Sequence, residues 1–151
     1  YQRYFPVTRH FTFMANGEVG YGNGYDDNPL PFFKNYTAGG ISSVRGFKSY
    51  TIGPKDSSGA PRGGSQRLVG NMELFFPFPG LANDRSVRLS TFLDMRYVGD
   101  KFDSADVRFS TGLGVLWVSP LGPLKAVIGV PLRKKGDDNS EMFQFTVGGA
   151  F

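Results

Sequence analysis

The sequence contains no cysteine. No disulfide framework can brace the fold, and no thiolate can act as nucleophile or metal ligand. Histidine occurs once, at His10, which excludes a histidine-based triad and a multi-histidine metal centre. No run approaches the ~18 consecutive apolar residues of a membrane-spanning helix, and the mean hydropathy is -0.25. Charge of either sign is sparse, with a formal net charge of +4 over 151 residues. The basic residues are scattered rather than blocked, which argues against a nucleic-acid partner. The opening "YQRYFPV" already reads as a strand, with no charged-then-apolar leader. The chain is therefore expected to be a mature fragment or an excised domain.

Glycine and phenylalanine are abundant, at 21 and 15 residues, with glycine about twice its usual share. Turn formers dominate and helix formers are thin, so the composition is that of a single all-β domain. Period-2 alternation is strong, as expected of strands whose side chains point to opposite faces. In the C-terminal "EMFQFTVGGAF", Phe143, Phe145, Val147, Gly149 and Phe151 share one face, and Gln144, Thr146 and Gly148 the other. In "SVRLSTFLDMRYV", Val87, Leu89, Thr91, Leu93, Met95 and Tyr97 oppose Arg88, Ser90, Phe92, Asp94 and Arg96. Similar patterns in "HFTFMANGEVGYG", "RLVGNMELFFPF", "DVRFSTGLGVLWV" and "LKAVIGVPL", with the short piece Tyr1–Val7, predict about seven hairpin-connected strands. Asp26 to Gln66 lacks periodicity, and a connection that long is usually functional or disordered.

A soluble sandwich would also alternate. Two features favour a membrane barrel. The alternating segments run about 9–12 residues, where soluble strands cluster near ~5–6 and membrane strands need ~9–11. The polar faces also hold isolated mid-strand charges, namely Glu18, Glu73, Arg88, Asp94, Arg96 and Arg108, which a barrel interior tolerates because they are paired or wet there. Tyr21, Phe78, Tyr97 and Trp117 lie near strand ends, where aromatic girdles are expected. Bacterial single-chain barrels have even strand numbers from about eight upward, so seven strands are expected to be part of a larger barrel.

The motifs "SSVRGF", "ELFFPFPG", "VSPLGPLK" and the terminal "FQFTVGGAF" resemble the C-terminal part of the barrel of the Omp85 (bacterial surface antigen D15) superfamily. The likeness covers nearly the whole chain and is clearest from Pro29 to Phe151. It implies a sixteen-stranded outer-membrane barrel preceded by periplasmic POTRA domains. It further implies that Val44, Arg45, Gly46 and Phe47 form the tip of a long loop, about 26–66, that folds into the lumen. Arg45 would pair with Glu73 and Asp94 on the wall, and Phe47 would pack on the wall and shield the pair. Gly148, Gly149 and Phe151 would belong to the last strand, at a seam where client strands pair during insertion. One departure stands out: Arg96 occupies a place where the family has glycine. Arg96 is expected to face the lumen and compete for Asp94, leaving Glu73 as the main partner of Arg45.

The implied function is assembly and insertion of β-barrel proteins into the outer membrane of a Gram-negative bacterium. Its partners would be membrane lipids, nascent barrel proteins, accessory assembly lipoproteins and the missing N-terminal strands and POTRA domains. The alternatives are a translocation pore of the same superfamily, as in two-partner secretion, and an inert soluble β-domain. No enzyme activity, cofactor or metal is expected. "GYGNGY" lacks the following helix of a phosphate loop, "KKGDDN" lacks the ligand spacing of a calcium loop, and Asp26–Asn28 reads as a polar turn.

Overall fold

The computed structural model describes residues 1–23, 31, 34–37, 39–41, 43–80, 86–136 and 138–148. Its strands are β1 (Gln2–Pro6), β2 (Thr12–Tyr21), β3 (Gly46–Phe47), β4 (Gln66–Pro77), β5 (Val87–Gly99), β6 (Arg108–Ser119), β7 (Gly122–Arg133), β8 (Ser140–Glu141) and β9 (Phe143–Val147). The helical element that punctuates the β5–β6 connection is a three-residue 3-10 turn, Ser104–Asp106. No described helix is long and apolar enough to cross a membrane, which says nothing of strands.

Seven strands form one antiparallel sheet in the order β1-β2-β4-β5-β6-β7-β9, with β1 and β9 at its edges. Each long strand pairs with its predecessor and successor among the long strands, because every connection is a hairpin or a loop that returns to the neighbouring position. Among the described residues the sheet does not close on itself. The connection from β2 to β4 is the long loop, and β2 and β4 still pair from Thr12↔Phe75 to Tyr21↔Gln66. The long strands measure 10, 12, 13, 12 and 12 residues, in the range of membrane-spanning strands rather than soluble ones. Register slips once, between Phe109 and Ser110, which pair with Arg133 and Pro131. Proline has no N–H to give the ladder, so a bulge beside Pro131 is where the sheet can accommodate it.

The two faces differ as the alternation requires. Val19, Leu113, Ile128, Leu132, Phe143 and Phe145 are exposed on the apolar face, while Glu73, Asp94, Arg96, Arg108, Ser110 and Gln144 are buried on the other. Burial of the polar face comes from the long loop, which folds back across it. Bridges Tyr36↔Gly64, Gly40↔Val44 and Lys55↔Pro61 brace that loop internally. Its Val44, Phe47 and Ile52 are fully buried with Val98 of β5, and Tyr36 packs against them. This small hydrophobic cluster joins loop to wall rather than sheet to sheet.

Tyr97 corrects the sequence expectation. It lies on the apolar side by alternation but is 1% exposed. The connection after β5 turns back over it: the Tyr97 hydroxyl donates to the Lys101 carbonyl, and its ring meets Phe102 edge-on at 5.1 Å. Tyr21, Phe78 and Trp117 stay exposed.

Candidate functional site

Register decides which wall residues face the loop tip. On β4 and β5, Asn71 stands opposite Asp94 and Glu73 opposite Phe92. Asn71, Glu73, Phe92 and Asp94 thus fall on one face as two adjacent rungs, since the side-chain period of a strand is two. The two carboxylates are diagonal neighbours with a ring between them. Arg45 descends from the loop onto this diagonal.

The Arg45 guanidinium uses its planar fork fully. Nε and Nη2 donate to the two oxygens of Asp94 at 2.8 and 2.7 Å, and Nη1 donates to Glu73 Oε2 at 2.6 Å. The Arg45 backbone N–H also donates to Asp94 Oδ2 at 3.1 Å. The Phe92 ring lies beneath, its centroid 3.7 Å from the guanidinium carbon. Arg45, Glu73 and Asp94 are 3%, 2% and 0% exposed. Charges so far from water persist only when paired and hydrogen-bonded on all sides. Burial alone would lower the arginine pKa, but the hydrogen bond and charge of Asp94, and then those of Glu73, outweigh it and hold the guanidinium above its ordinary value.

Wall residues complete the satisfaction of the carboxylates. Ser90 Oγ donates to Glu73 Oε1 at 2.6 Å, and Lys125 Nζ of β7 lies 3.7 Å from Glu73 Oε2. Asn71 Nδ2 donates to Asp94 Oδ1 and to the Ser43 carbonyl, both at 3.0 Å. Asp94 therefore receives three bonds from Arg45 and one from Asn71, making it the principal partner. This overturns the expectation that Glu73 leads. The rival cation does not compete: Arg96 Nη2 donates to the Thr37 carbonyl at 3.0 Å, and its Nε and Nη1 meet no acceptor among the described residues. Both Asp94 oxygens are already filled, and the Arg96 arm is directed to the loop instead.

The rest of the tip also differs in detail from expectation. The shield over the ion pair is Phe92, not Phe47; Phe47 is in the Val44–Ile52–Val98 cluster. Gly46 has φ +88, and a Cβ there would lie 2.9 Å from the Gly129 carbonyl carbon. The chain thus turns in a left-handed conformation while touching the β7 backbone, and both demands select glycine. Gly148 ends β9 with φ +66, and its N–H donates to the Pro123 carbonyl at 2.8 Å. Gly149 and Phe151 lie outside the described residues.

A second buried ion pair had no distinct sequence signal. Arg108, at the start of β6, holds Asp138 through Nε at 2.8 Å and Nη2 at 3.2 Å. Asp138 lies in the "KKGDDN" stretch, a polar link after β7 that returns to the start of β6. Among the described residues no group of three or more potential metal ligands is found.

Phe92→Leu retains apolar cover but removes the ring face beneath the guanidinium. It is expected to lower stability by about 1–2 kcal/mol, read as a shift of the urea unfolding midpoint with unchanged slope.

The Omp85 superfamily domain matches residues 1–151. The chain is 37% identical to the outer membrane protein assembly factor BamA of Neisseria meningitidis serogroup B over 180 residues, covering 98% of this chain and 23% of that protein. It is 33% identical to BamA of Nitratidesulfovibrio vulgaris, over 85% of this chain and 17% of the relative. The crystal structure of BamA from Haemophilus ducreyi lacking POTRA domains 1-3 superposes with a TM-score of 0.87 at 29% identity, covering 97% of this chain and 33% of that one. The chain thus spans about a quarter or less of the two relatives' length, and its open sheet corresponds to part of a barrel wall. With the family model matching the chain from end to end, the chain belongs to the Omp85 superfamily.

Proposed function

We propose that residues 1–151 form the C-terminal part of an outer-membrane barrel, with the loop of about 26–66 folded into its lumen. The complete protein assembles β-barrel proteins and inserts them into the outer membrane of a Gram-negative bacterium. The observation that carries this reading is the buried Arg45–Asp94–Glu73 lock, which fastens a lumenal loop to the wall in a chain whose relatives are named outer membrane protein assembly factors. The apolar face fits acyl chains, and the polar face fits an interior.

The seam supplies the mechanism. β9 pairs with β7 over five residues, Val147 to Phe143, and in the complete barrel its other edge would meet the first strand, so that opening this seam bares it. An edge strand offers a row of backbone donors and acceptors, on which a nascent strand can add by β-augmentation. Gly148 turns the chain sharply at the end of this edge. Barrel insertion then proceeds by strand templating, without covalent chemistry, cofactor or metal. Its partners are membrane lipids, nascent barrel proteins, accessory lipoproteins, and the N-terminal strands and POTRA domains of the complete protein.

The test is reconstitution of the complete protein in lipid vesicles with an unfolded client barrel. Client folding should accelerate severalfold, and photocrosslinkers at positions 143–147 should capture client strands. A protein that passes an extended client without speeding barrel folding would belong to the translocation class instead.

A further inference from the structure

The entry into β9 is held from within by the loop tip. Beyond Ile128↔Phe143 the last strand no longer follows β7 as a paired strand. The Gly129 N–H donates to the Met142 carbonyl at 2.7 Å, and the two residues before that, Ser140 and Glu141, pair as β8 with Phe47 and Gly46 of the tip. The Lys48 N–H extends this ladder to the Asn139 carbonyl at 2.9 Å. One residue into β9, the Gln144 side chain closes the bracket. Its Nε2 donates to the Phe47 carbonyl at 2.7 Å, and its Oε1 accepts from the Gly46 N–H at 3.4 Å. Gln144 is 6% exposed, so these bonds are shielded from competing water.

We infer that Gln144 is a positioning residue that couples the loop tip to the last strand, so that the Arg45 lock governs how firmly the leading end of β9 is held. The amide of Gln144 spans the Gly46–Phe47 backbone as a neighbouring strand would, satisfying one donor and one acceptor of the tip. Arg45 is the adjacent residue, and its own N–H is fixed by Asp94. Force or disorder at the lock is therefore transmitted through two backbone residues to the β9 side chain. At the far end of the same segment, Asp138 is anchored by Arg108, so release of the tip frees residues 139–144 between two fixed ends. The functional meaning of the coupling rests on the seam reading above; the coupling itself does not.

Amide hydrogen exchange on the complete protein tests it. Gln144→Ala should raise exchange about tenfold in both 44–48 and 139–147, from the loss of two buried hydrogen bonds, and leave the β4–β5 hairpin protected. Arg45→Lys should raise exchange in 139–147 although it touches no residue there. A disulfide between Lys48→Cys and Asn139→Cys, in a cysteine-free background, should reverse the Gln144→Ala effect when oxidised. Facing residues of such a ladder are about 4.5–5.5 Å apart, within disulfide reach. Unchanged exchange at 44–48 in Gln144→Ala, or at 139–147 in Arg45→Lys, would overturn the proposal. If Gln144→Ala does not assemble, the staple alone decides: oxidation must increase protection across 143–147, and no change there overturns it. Client folding is measured in parallel. Exchange that responds to the staple while the client folding rate does not would sustain the coupling and count against the seam.

Discussion

Arg45→Ala in the complete protein is expected to cost about 3–5 kcal/mol in the stability of the docked loop, and limited proteolysis should then cut within 26–66 at sites the wild type protects. The loss comes less from the missing bonds than from what is left behind. Asp94, fully buried, would lose both guanidinium bonds and keep only neutral donors, Asn71 and the backbone N–H of residue 45. Glu73 would fare better, because Ser90 and Lys125 remain beside it. The two carboxylates should therefore respond unequally: Asp94→Asn should approach the full cost, while Glu73→Gln should lose about half as much. Arg45→Lys keeps the charge but not the fork, so it should fall between wild type and Arg45→Ala. Protease protection of Arg45→Ala equal to wild type would remove the lock from the account.

Gly46→Ala should be nearly as damaging, at about 2–4 kcal/mol, because strain and overpacking add. The positive φ of Gly46 disfavours any L side chain, and the new methyl would meet the β7 backbone at 2.9 Å. Backbone cannot swing aside as a flexible side chain can. Gly129→Ala probes the same approach from the wall, where a Cβ would lie 2.7 Å from the Gly46 nitrogen. Its expected cost is about 1–3 kcal/mol, overpacking alone. Both variants should expose 26–66 to protease while thermal unfolding of the sheet shifts less. A Gly129→Ala protein with a fully protected loop would mean the tip does not seat against β7.

The strands were legible because alternation is a local property. Phe143, Gln144 and Phe145 reveal two faces within three residues, and the long strands repeat that message many times. Burial of Glu73 and Asp94 on the polar face followed from the same period. The two-residue strands β3 and β8 offered no such signal, since two residues define no period. Contacts across register were equally hidden. Phe92 lies on the polar face by alternation, but only its position opposite Glu73 on β4 shows that it lies beneath the guanidinium. Arg108 and Asp138 are separated by 30 residues, with β6 and β7 between them, and nothing in the "KKGDDN" stretch marks its return to the start of β6. The expected rivalry of Arg96 failed for a geometric reason. Side chains two apart on a strand share a face without sharing a partner, and a long arginine arm can choose its direction.

The order of the chain has a consequence for how this structure is reached. Every wall group that grips the loop tip comes later in the sequence: Glu73 by 28 residues, Asp94 by 49, and Gln144 by 97 from Phe47. Such distant encounters carry a large closure entropy and form slowly. The tip has no complete seat until β4, β5, β7 and β9 stand side by side. The β4–β5 hairpin alone carries the carboxylates that hold Arg45, whereas the seat of Gly46 and Phe47 is complete only when β7 and β9 have joined it.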